Sequence, residues 1–305
     1  MNAITEELLK MVSNIQGAVS GAFNIRENGQ CAGRQSTKNI RIDSKADLPG
    51  LDIHIQPGTK GETVYIPACV THGDIDDLVY NDFFVGEGAD VVIIAGCGVH
   101  TDDQEEARHN GIHRFFLEKG ARVRYEEKHV GTGKGQGAKK IDPITDVQLA
   151  EDAVLEMDTV QLGGVDNSLR TTTGVLGPRS RLVVRERIMT DHAERALTQF
   201  QVELKGEDCG VDLISRSVAK GDSYQEFRSC LKGLNRCSGH SECDAILVGN
   251  GKVHAAPALE ASHVDAALIH EAAIGKIAGE QILKLRTLGL TEEEAEERII
   301  AGFLK

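Results

Sequence analysis

The sequence predicts a mainly β protein, a parallel β-helix (solenoid) with a short N-terminal segment and C-terminal α-helices. Two patterns support this prediction: short strands separated by turn residues through most of the chain, and a switch to helical spacing near the C-terminus. The composition agrees with it, because 33 glycines, 4% aromatic residues and no tryptophan suit tight turns around a thin aliphatic core.

The patterns divide the chain into three zones, which are an N-terminal α+β segment at 1–75, a β-helix core at 76–262 and a helical segment at 263–305. The first zone begins with a helical spacing of apolar residues that includes Ile4, Leu8 and Val12. In the last zone, apolar residues from Ile274 to Leu285 fall near helical spacing, and a capping box follows with its N-cap at Thr291.

The core zone repeats with a period of about 14 residues. Polar turn-type residues or acids recur at positions 152, 166, 180, 194, 208 and 222, and five of the six positions that lie three further on are apolar. One strand and one turn have this length, so two units would make a coil of about 28 residues with two parallel sheets. An antiparallel sandwich with accidental spacing is the alternative.

Charge and cysteine content restrict the class of protein. The formal charge of −13 argues against a nucleic-acid binder, because phosphates would repel the chain. The longest apolar run, Val91–Val99, is too short for a membrane helix, and the N-terminus lacks a cationic leader. Seven cysteines, an odd number, argue against a disulfide framework. We therefore expect a cytoplasmic protein with reduced thiols.

The glycine-rich run Gly131–Lys139 does not fit a nucleotide-binding loop. Position 128 is Lys where the phosphate loop needs Gly, and position 135 is Gly where it needs Ser or Thr. Pro143 would interrupt the helix that holds a pyrophosphate in the dinucleotide fingerprint. We expect a surface loop here, and no ATP hydrolysis by this chain.

Cys237, His240 and Cys243 have Cys-x2-His-x2-Cys spacing. Thiolates and imidazoles at such intervals suit zinc, iron or an iron–sulfur cluster. The alternative is that the cysteines are small core residues.

The repeat suggests a second grouping. Cys243 precedes Glu271 by 28 positions and His270 by 27, so a coil of about 28 residues would stack the three on adjacent coils. A thiolate, an imidazole and a carboxylate would then converge as metal ligands. The alternative for His270 and Glu271 is a pair at a helix start, with Glu271 facing the helix dipole.

Two further features have open interpretations. Cys97 lies between Gly96 and Gly98, which would leave its thiol open to another molecule, or it is a buried thiol on a strand. The last helix presents an apolar stripe that either caps the solenoid or docks a partner, formed by Ile299, Ile300, Phe303 and Leu304.

Several runs of the sequence resemble the SufB/SufD family, the scaffold subunits of the SUF machinery for iron–sulfur cluster assembly. The resemblance covers residues 76–305 and is most specific from position 241 onward. The runs that carry it are Gly96-Cys97, Gly120–Tyr125, Glu242–Gly249, His254–Glu260, Ile269–Ile277, Leu288–Ala295 and Ile300–Phe303.

The resemblance implies a right-handed parallel β-helix and a scaffold rather than an enzyme. It implies that Cys243 builds the nascent iron–sulfur cluster, that Glu271 lies beside it, and that His270 matches the histidine that SufD contributes at the same interface. Cys97 matches the cysteine that accepts sulfur. The C-terminal helices, with Thr291, Ile299, Ile300 and Phe303, match the surface that docks the SufC-type ATPase.

The sequence departs from the family pattern in three ways. It is shorter, mostly at the N-terminus. It carries SufB-type Cys243 and Glu271 together with SufD-type His270, so a homodimer could supply both halves of the site in place of a paralogue. The aromatic and amide residues of the proposed sulfur path are not matched near His129 and Gly131.

Further expectations complete this interpretation. A sulfur donor protein, a cluster held transiently, and the absence of nucleic-acid and membrane partners are expected, while flavin binding stays open. Two alternatives remain: a zinc hydrolase or structural zinc protein that uses Cys237, His240 and Cys243, and a purely structural solenoid that binds partners.

Overall fold

The structure is a computed structural model that describes residues 2–15, 17 and 19–305. These residues form three helices, α1 (Ala3–Ser13), α2 (Gly279–Arg286) and α3 (Glu292–Phe303). They also form twenty strands, which are β1 (Ala22–Glu27), β2 (Gln30–Gln35), β3 (Ile40–Ser44), β4 (Gly50–Ile55), β5 (Lys60–Val70), β6 (Ile75–Val85), β7 (Asp90–His100), β8 (Ala107–Leu117), β9 (Arg122–Thr132), β10 (Lys139–Ile141), β11 (Ile144–Leu149), β12 (Val154–Leu162), β13 (Asn167–Leu176), β14 (Arg181–Thr190), β15 (Arg195–Leu204), β16 (Cys209–Ala219), β17 (Tyr224–Gly233), β18 (Cys237–Leu247), β19 (Lys252–Ala261) and β20 (Ala266–Gly275).

The strands wind into a parallel β-helix, which confirms the predicted fold class. From β4 onward, successive strands alternate between two sheets, except that β10 and β11 both belong to the second. The first sheet has the order β2-β1-β5-β7-β9-β12-β14-β16-β18-β20, and the second runs from β3 and β4 through β6 and β8 to β19. The β1–β2 and β3–β4 pairs are antiparallel and lie at the N-terminal end, while the later neighbours pair in parallel. The alternative of an antiparallel sandwich is therefore wrong.

The repeat found in the sequence corresponds to half a coil. Cys209 lies beside Cys237 on the next coil, and nearer the N-terminus Asp90 lies beside Arg122. The second pair is further apart in the sequence than the first, so the coils nearer the N-terminus are longer. The corners contain residues in the left-handed conformation, which Asp, Asn and Gly adopt most readily. At one corner these residues are Asp152 (φ 61°), Arg179 (φ 54°) and Asp208 (φ 59°).

Alternating side chains of each strand fill the interior. In β14, for example, Leu182 and Val184 are buried inside the coil, while the residues between them face outward. Phe83 and Phe115 stack inside adjacent coils with centroids 4.7 Å apart, and Tyr125 meets Phe115 edge-on. This aromatic cluster lies toward the N-terminal half of a core that is mostly aliphatic.

Helix α1 packs against the outside of β7 and confirms the predicted N-terminal helix. Leu8 and Val12 are buried at this contact. A Cβ added at Gly98 would lie 2.9 Å from Leu8, and one added at Gly96 would lie 2.7 Å from Val12. The two glycines thus make room for the protein's own helix.

The β-helix is longer than the predicted range 76–262, since β5 begins at Lys60 and β20 ends at Gly275. Ile274, which we assigned to the helical zone, lies in β20. Its apolar neighbours fit helical and strand spacing alike, and pairing with β18 selects the strand. Helix α2 begins only at Gly279. Thr291 caps α3 in the predicted capping box with Glu294.

None of the helices in the described part of the chain combines the length and the apolar character that a membrane crossing requires.

Candidate functional site

Cys243 points into the β-helix from the second-last strand of its sheet. Its side chain is buried, and its neighbours in register are Ser215 on β16 and Ala272 on β20. Burial, followed by the negative charges of Glu186 and Asp244, raises the pKa of the Cys243 thiol to about 12. The thiol is therefore protonated at neutral pH unless a metal ion binds it.

The structure does not stack Glu271 on Cys243. Cys209 lies beside Cys237, which in turn lies beside Ala266 on the last strand. The separation along the chain is one residue greater for the second pair than for the first, so the last coil is one residue longer than the coil before it. This offset pairs Glu271 with Glu242 and turns it outward, while Cys243 faces inward. The expected stacking of Cys243 and Glu271 in one chain is therefore wrong, because one extra residue in a corner moves Glu271 to the other face.

His270 lies on the inward-facing register of the last coil. It pairs with Ser241 on β18, two positions from Cys243. Its side chain is exposed because β20 is the last strand of its sheet in the described part of the chain. Of His270 and Glu271, which were both predicted to stack on Cys243, His270 is the one that shares a face with it.

Glu271 instead lies beside His240 on the outer face. The His240 Nε2 atom is 3.8 Å from Glu271 Oε2, and its Nδ1 atom is 2.9 Å from Asp212 Oδ1. Glu242 completes the group, because ligand atoms of His240, Glu242 and Glu271 all lie within 4.8 Å of one another.

The proposed zinc ligands Cys237, His240 and Cys243 are not brought together. They share strand β18, whose side chains alternate between faces, so the two cysteines point inward and His240 points outward. Cys237 and Cys243 are also about 20 Å apart along the strand, given the usual rise per residue. A three-residue zinc site within this strand is therefore wrong on geometric grounds.

A row of polar side chains runs inside the β-helix and ends at Cys243. It passes through neighbouring strands of one sheet at Glu127, Thr159, Glu186 and Ser215. All four are buried. Our sequence reasoning missed this row, although its signal was present: polar residues at intervals of one coil, on the inward parity of their strands.

Arg170 links the two carboxylates of this row. Its Nη1 atom donates to Glu127 Oε2 at 2.6 Å, and its Nε atom lies 3.5 Å from Glu186 Oε1. Burial raises the pKa of Glu127, but Arg170 and His129 outweigh it and hold that pKa well below its ordinary value. Ser215 donates to Glu186 at 2.9 Å. The interior is thus charged as well as polar.

Cys97 is a buried thiol, as the second of our two interpretations proposed. It lies beside His129 in register and is 3% exposed. Burial, then the charge of Glu127, raises its pKa well above the ordinary value. It lines a cavity of about 280 Å³ whose wall also includes the exposed Cys31 and the buried His109. Cys97 therefore has access through this cavity rather than from the open surface.

The C-terminal helices lie at the open end of the β-helix. Ala295 and Ile300 are the buried residues of α3, while Ile299 and Phe303 are half-buried and Thr291 is exposed. A groove of about 480 Å³ separates these helices from the β-helix, lined by Leu247, Ile277, Ile282, Leu283 and Glu296 among others. Ile300 is thus buried, and the rest of the stripe stays partly available.

Comparisons with known proteins relate this chain to one family. The family model for the SufBD core domain of SUF system FeS cluster assembly matches residues 81–303. An iron–sulfur cluster assembly SufBD family protein of Methanothermobacter thermautotrophicus is 29% identical over 269 residues, which are 86% of this chain and 64% of that protein. One of Archaeoglobus fulgidus is 28% identical over 87% of this chain and 70% of its own length.

The iron–sulfur cluster assembly protein SufD of Escherichia coli is 26% identical over 88% of this chain and 61% of its own length. The chain thus spans between 61% and 70% of the length of these three relatives. The family model covers well over half of the sequence and includes the β-helix from within β6 onward together with its helical end. This chain therefore belongs to the SufBD family.

Proposed function

We propose that this protein is a non-enzymatic scaffold on which an iron–sulfur cluster is assembled as cargo and then released. The observation that carries the proposal is the interior polar row, which ends at the thiol of Cys243 next to the last strand of the sheet. Membership of a family that is named for iron–sulfur cluster assembly supports it. Cys243 would supply the thiolate, since metal binding deprotonates a thiol whose pKa is raised.

Pairing with a second chain is proposed at the end of the β-helix. Strands β19 and β20 are the last strands of their sheets in the described part of the chain, and each offers an edge that could pair with another chain. Apolar side chains are exposed there: Val264 is 94% and Ile269 57% exposed. Because this chain carries Cys243, His270 and Glu271, a homodimer could supply every ligand, and a SufBD paralogue is the other partner to test.

His270 and Glu271 would act as exchangeable ligands beside Cys243. His270 lies on the inward register of the last coil, one strand from the strand of Cys243. Glu271 lies on the other face, so it would reach a shared cluster only through the second chain. Mixed thiolate, imidazole and carboxylate ligation suits a cluster that must leave.

Sulfur delivery is proposed through the cavity that Cys97 lines. A sulfur donor protein would place its persulfide at the mouth of this cavity, near the exposed Cys31. The thiolate of Cys97 would attack the outer sulfur of this persulfide, and the donor's thiolate would leave. A small-molecule thiol would then reduce the Cys97 persulfide, becoming its own disulfide and releasing hydrosulfide. The polar row from Glu127 onward would lead this hydrosulfide toward Cys243. Arg170 supports such a route, because its guanidinium is buried beside Glu127 and Glu186 and would attract an anionic sulfur species.

ATP hydrolysis is assigned to a SufC-type partner docked on α2 and α3. Helix α2 buries none of its described side chains, and Ile299 and Phe303 on α3 are only half-buried. The groove behind these helices adds further accessible apolar surface. These features support docking of a partner protein at this end of the molecule.

The proposal is tested by anaerobic reconstitution with ferrous iron and sulfide, followed by analysis of iron, zinc and acid-labile sulfide. We expect iron and labile sulfide in equal amounts, and a visible charge-transfer spectrum. Stoichiometric zinc without labile sulfide would contradict the scaffold and favour a zinc protein. A protein that retains neither metal nor sulfide would also contradict it and favour a purely structural solenoid.

A further inference from the structure

We propose that His240, Glu242 and Glu271 form a binding site for one divalent transition-metal ion on the outer face of β18 and β20. This site is separate from Cys243, whose side chain lies on the opposite face of β18. The ion would be held by one imidazole nitrogen and two carboxylate groups, with its remaining positions open to water or to an incoming ligand.

The strand register builds the site. His240 and Glu242 alternate with inward-facing residues on β18, so both face outward, and Glu271 lies directly beside Glu242 on β20. One ligand atom from each of the three residues lies within 4.8 Å of the others. Ligand atoms bound to one ion at about 2.1 Å are separated by roughly 3 to 4 Å, so small side-chain rotations close the site.

Asp212 prepares the imidazole for metal binding. It lies beside His240 on β16, and its Oδ1 atom is 2.9 Å from His240 Nδ1. A carboxylate at Nδ1 fixes the tautomer with the proton on Nδ1 and leaves the Nε2 lone pair free. That lone pair is on the side of Glu271, since Nε2 lies 3.8 Å from Glu271 Oε2.

The charges around the site favour a bound cation. Glu242 and Glu271 are paired directly on neighbouring strands, an arrangement that is destabilising for like charges. A divalent ion between Glu242 and Glu271 would relieve this crowding of negative charge.

The donor set indicates the class of ion. One imidazole and two carboxylates with open positions suit Fe²⁺, Mn²⁺ or Co²⁺, whereas structural zinc sites prefer thiolates or several imidazoles. If the proposed function is right, the physiological ion is ferrous iron awaiting transfer, an assignment that depends on that function. The site itself rests on the geometry of β16, β18 and β20.

The test is titration of the purified full chain with Co²⁺ alone, followed by its visible spectrum. We expect one ion per chain with a d–d spectrum of oxygen and nitrogen ligands and without sulfur charge transfer. His240→Gln and Glu242→Gln should each weaken Co²⁺ binding more than tenfold. Asp212→Asn should weaken it about tenfold, the usual effect of losing a carboxylate that orients a ligand.

The controls separate this site from the cluster site. His254→Gln alters an exposed histidine of the other sheet that also faces a carboxylate, Glu226, and should leave Co²⁺ binding unchanged. Cys243→Ser should leave Co²⁺ binding unchanged while it abolishes cluster reconstitution. Unaltered Co²⁺ binding in His240→Gln and Glu242→Gln would overturn the site. A wild-type chain that binds Co²⁺ here but never holds a cluster would overturn the proposed function and keep the site.

Discussion

Cys243 and Glu271 lie on opposite faces of one sheet, although their separation in the sequence is close to the length of one coil. The last coil is one residue longer than the coil before it. This shift in register places Ala272 beside Cys243 and Glu271 beside Glu242. A thiol for sulfur chemistry thus faces the interior, and a carboxylate pair for metal binding faces the solvent. Within one chain, Cys243 can therefore be replaced without disturbing His240 and Glu242.

Arg170 is predicted to be essential for stability. It compensates the buried carboxylates of Glu127 and Glu186, and its removal would deprive both of their guanidinium partner. Arg170→Met should lower the free energy of unfolding by about 3 to 5 kcal/mol, measured by urea denaturation. The pair of Glu226 with the exposed Arg228 is the control, and Arg228→Met should cost at most about 1 kcal/mol. Equal losses in the two variants would contradict this account.

Acid sensitivity is predicted to depend on His113. Burial lowers its pKa from 6.5 to about 4, against the opposing charge of Glu127. The unfolded chain therefore binds the proton first, so this contribution to stability is intact above pH 6.5 and is lost progressively as the pH falls toward 4. At pH 5 the cost is about 2 kcal/mol for this group.

His113→Gln should therefore lose about 2 kcal/mol less than the wild type between pH 7 and pH 5, measured by urea denaturation at each pH. The exposed His254 provides a matched control, and His254→Gln should lose as much as the wild type. If His113→Gln and the wild type lose equal stability over this range, His113 does not carry the effect.

Docking of α1 is predicted to depend on Gly98. A side chain there would collide with Leu8, which lies 2.9 Å from the position of a Cβ. Gly98→Val should lower the free energy of unfolding by about 1 to 3 kcal/mol, and the thermal midpoint should fall with it. At Gly302, an added Cβ meets none of the described atoms within 4 Å, so Gly302→Ala should stabilise α3 slightly. Destabilisation of the same size at Gly302 would argue against a specific clash.

Thiol reactivity should divide the cysteines by burial. Cys31 is exposed, whereas Cys97 and Cys243 are buried with raised pKa values. Iodoacetamide should modify Cys31 fastest in the native protein, Cys97 much more slowly through its cavity, and Cys243 only upon unfolding, because the thiolate is the reactive species. Peptide mass spectrometry measures the three rates. Similar native rates for Cys31 and Cys97 would contradict the buried position of Cys97.

The fold could be predicted from the sequence because its corners recur in the chain. Polar residues at regular intervals mark the turns, and Asp152 and Asp208 adopt the left-handed conformation there. The ends of the β-helix were less predictable, since the apolar residues near Ile274 fit helical spacing as well as a strand. Pairing with the preceding strand, a tertiary effect, decides this case.

The candidate site could be predicted only in part. Spacing singled out Cys243 and Glu271, but an average period cannot reveal one extra residue in a single corner. Such a residue moves each side chain to the other face of the sheet. The pairing of Glu127 with Arg170 depends on the same register across several coils, so it too required the structure.

Anaerobic reconstitution of the Cys243→Ser variant tests the central claim most directly. Cys209→Ser is the matched control, because Cys209 is also a buried thiol with a raised pKa and lies on the neighbouring strand β16. The account predicts that Cys243→Ser loses the visible charge-transfer spectrum and the labile sulfide, while Cys209→Ser retains both. A full cluster signal in folded Cys243→Ser would contradict the claim that the cluster is built at Cys243.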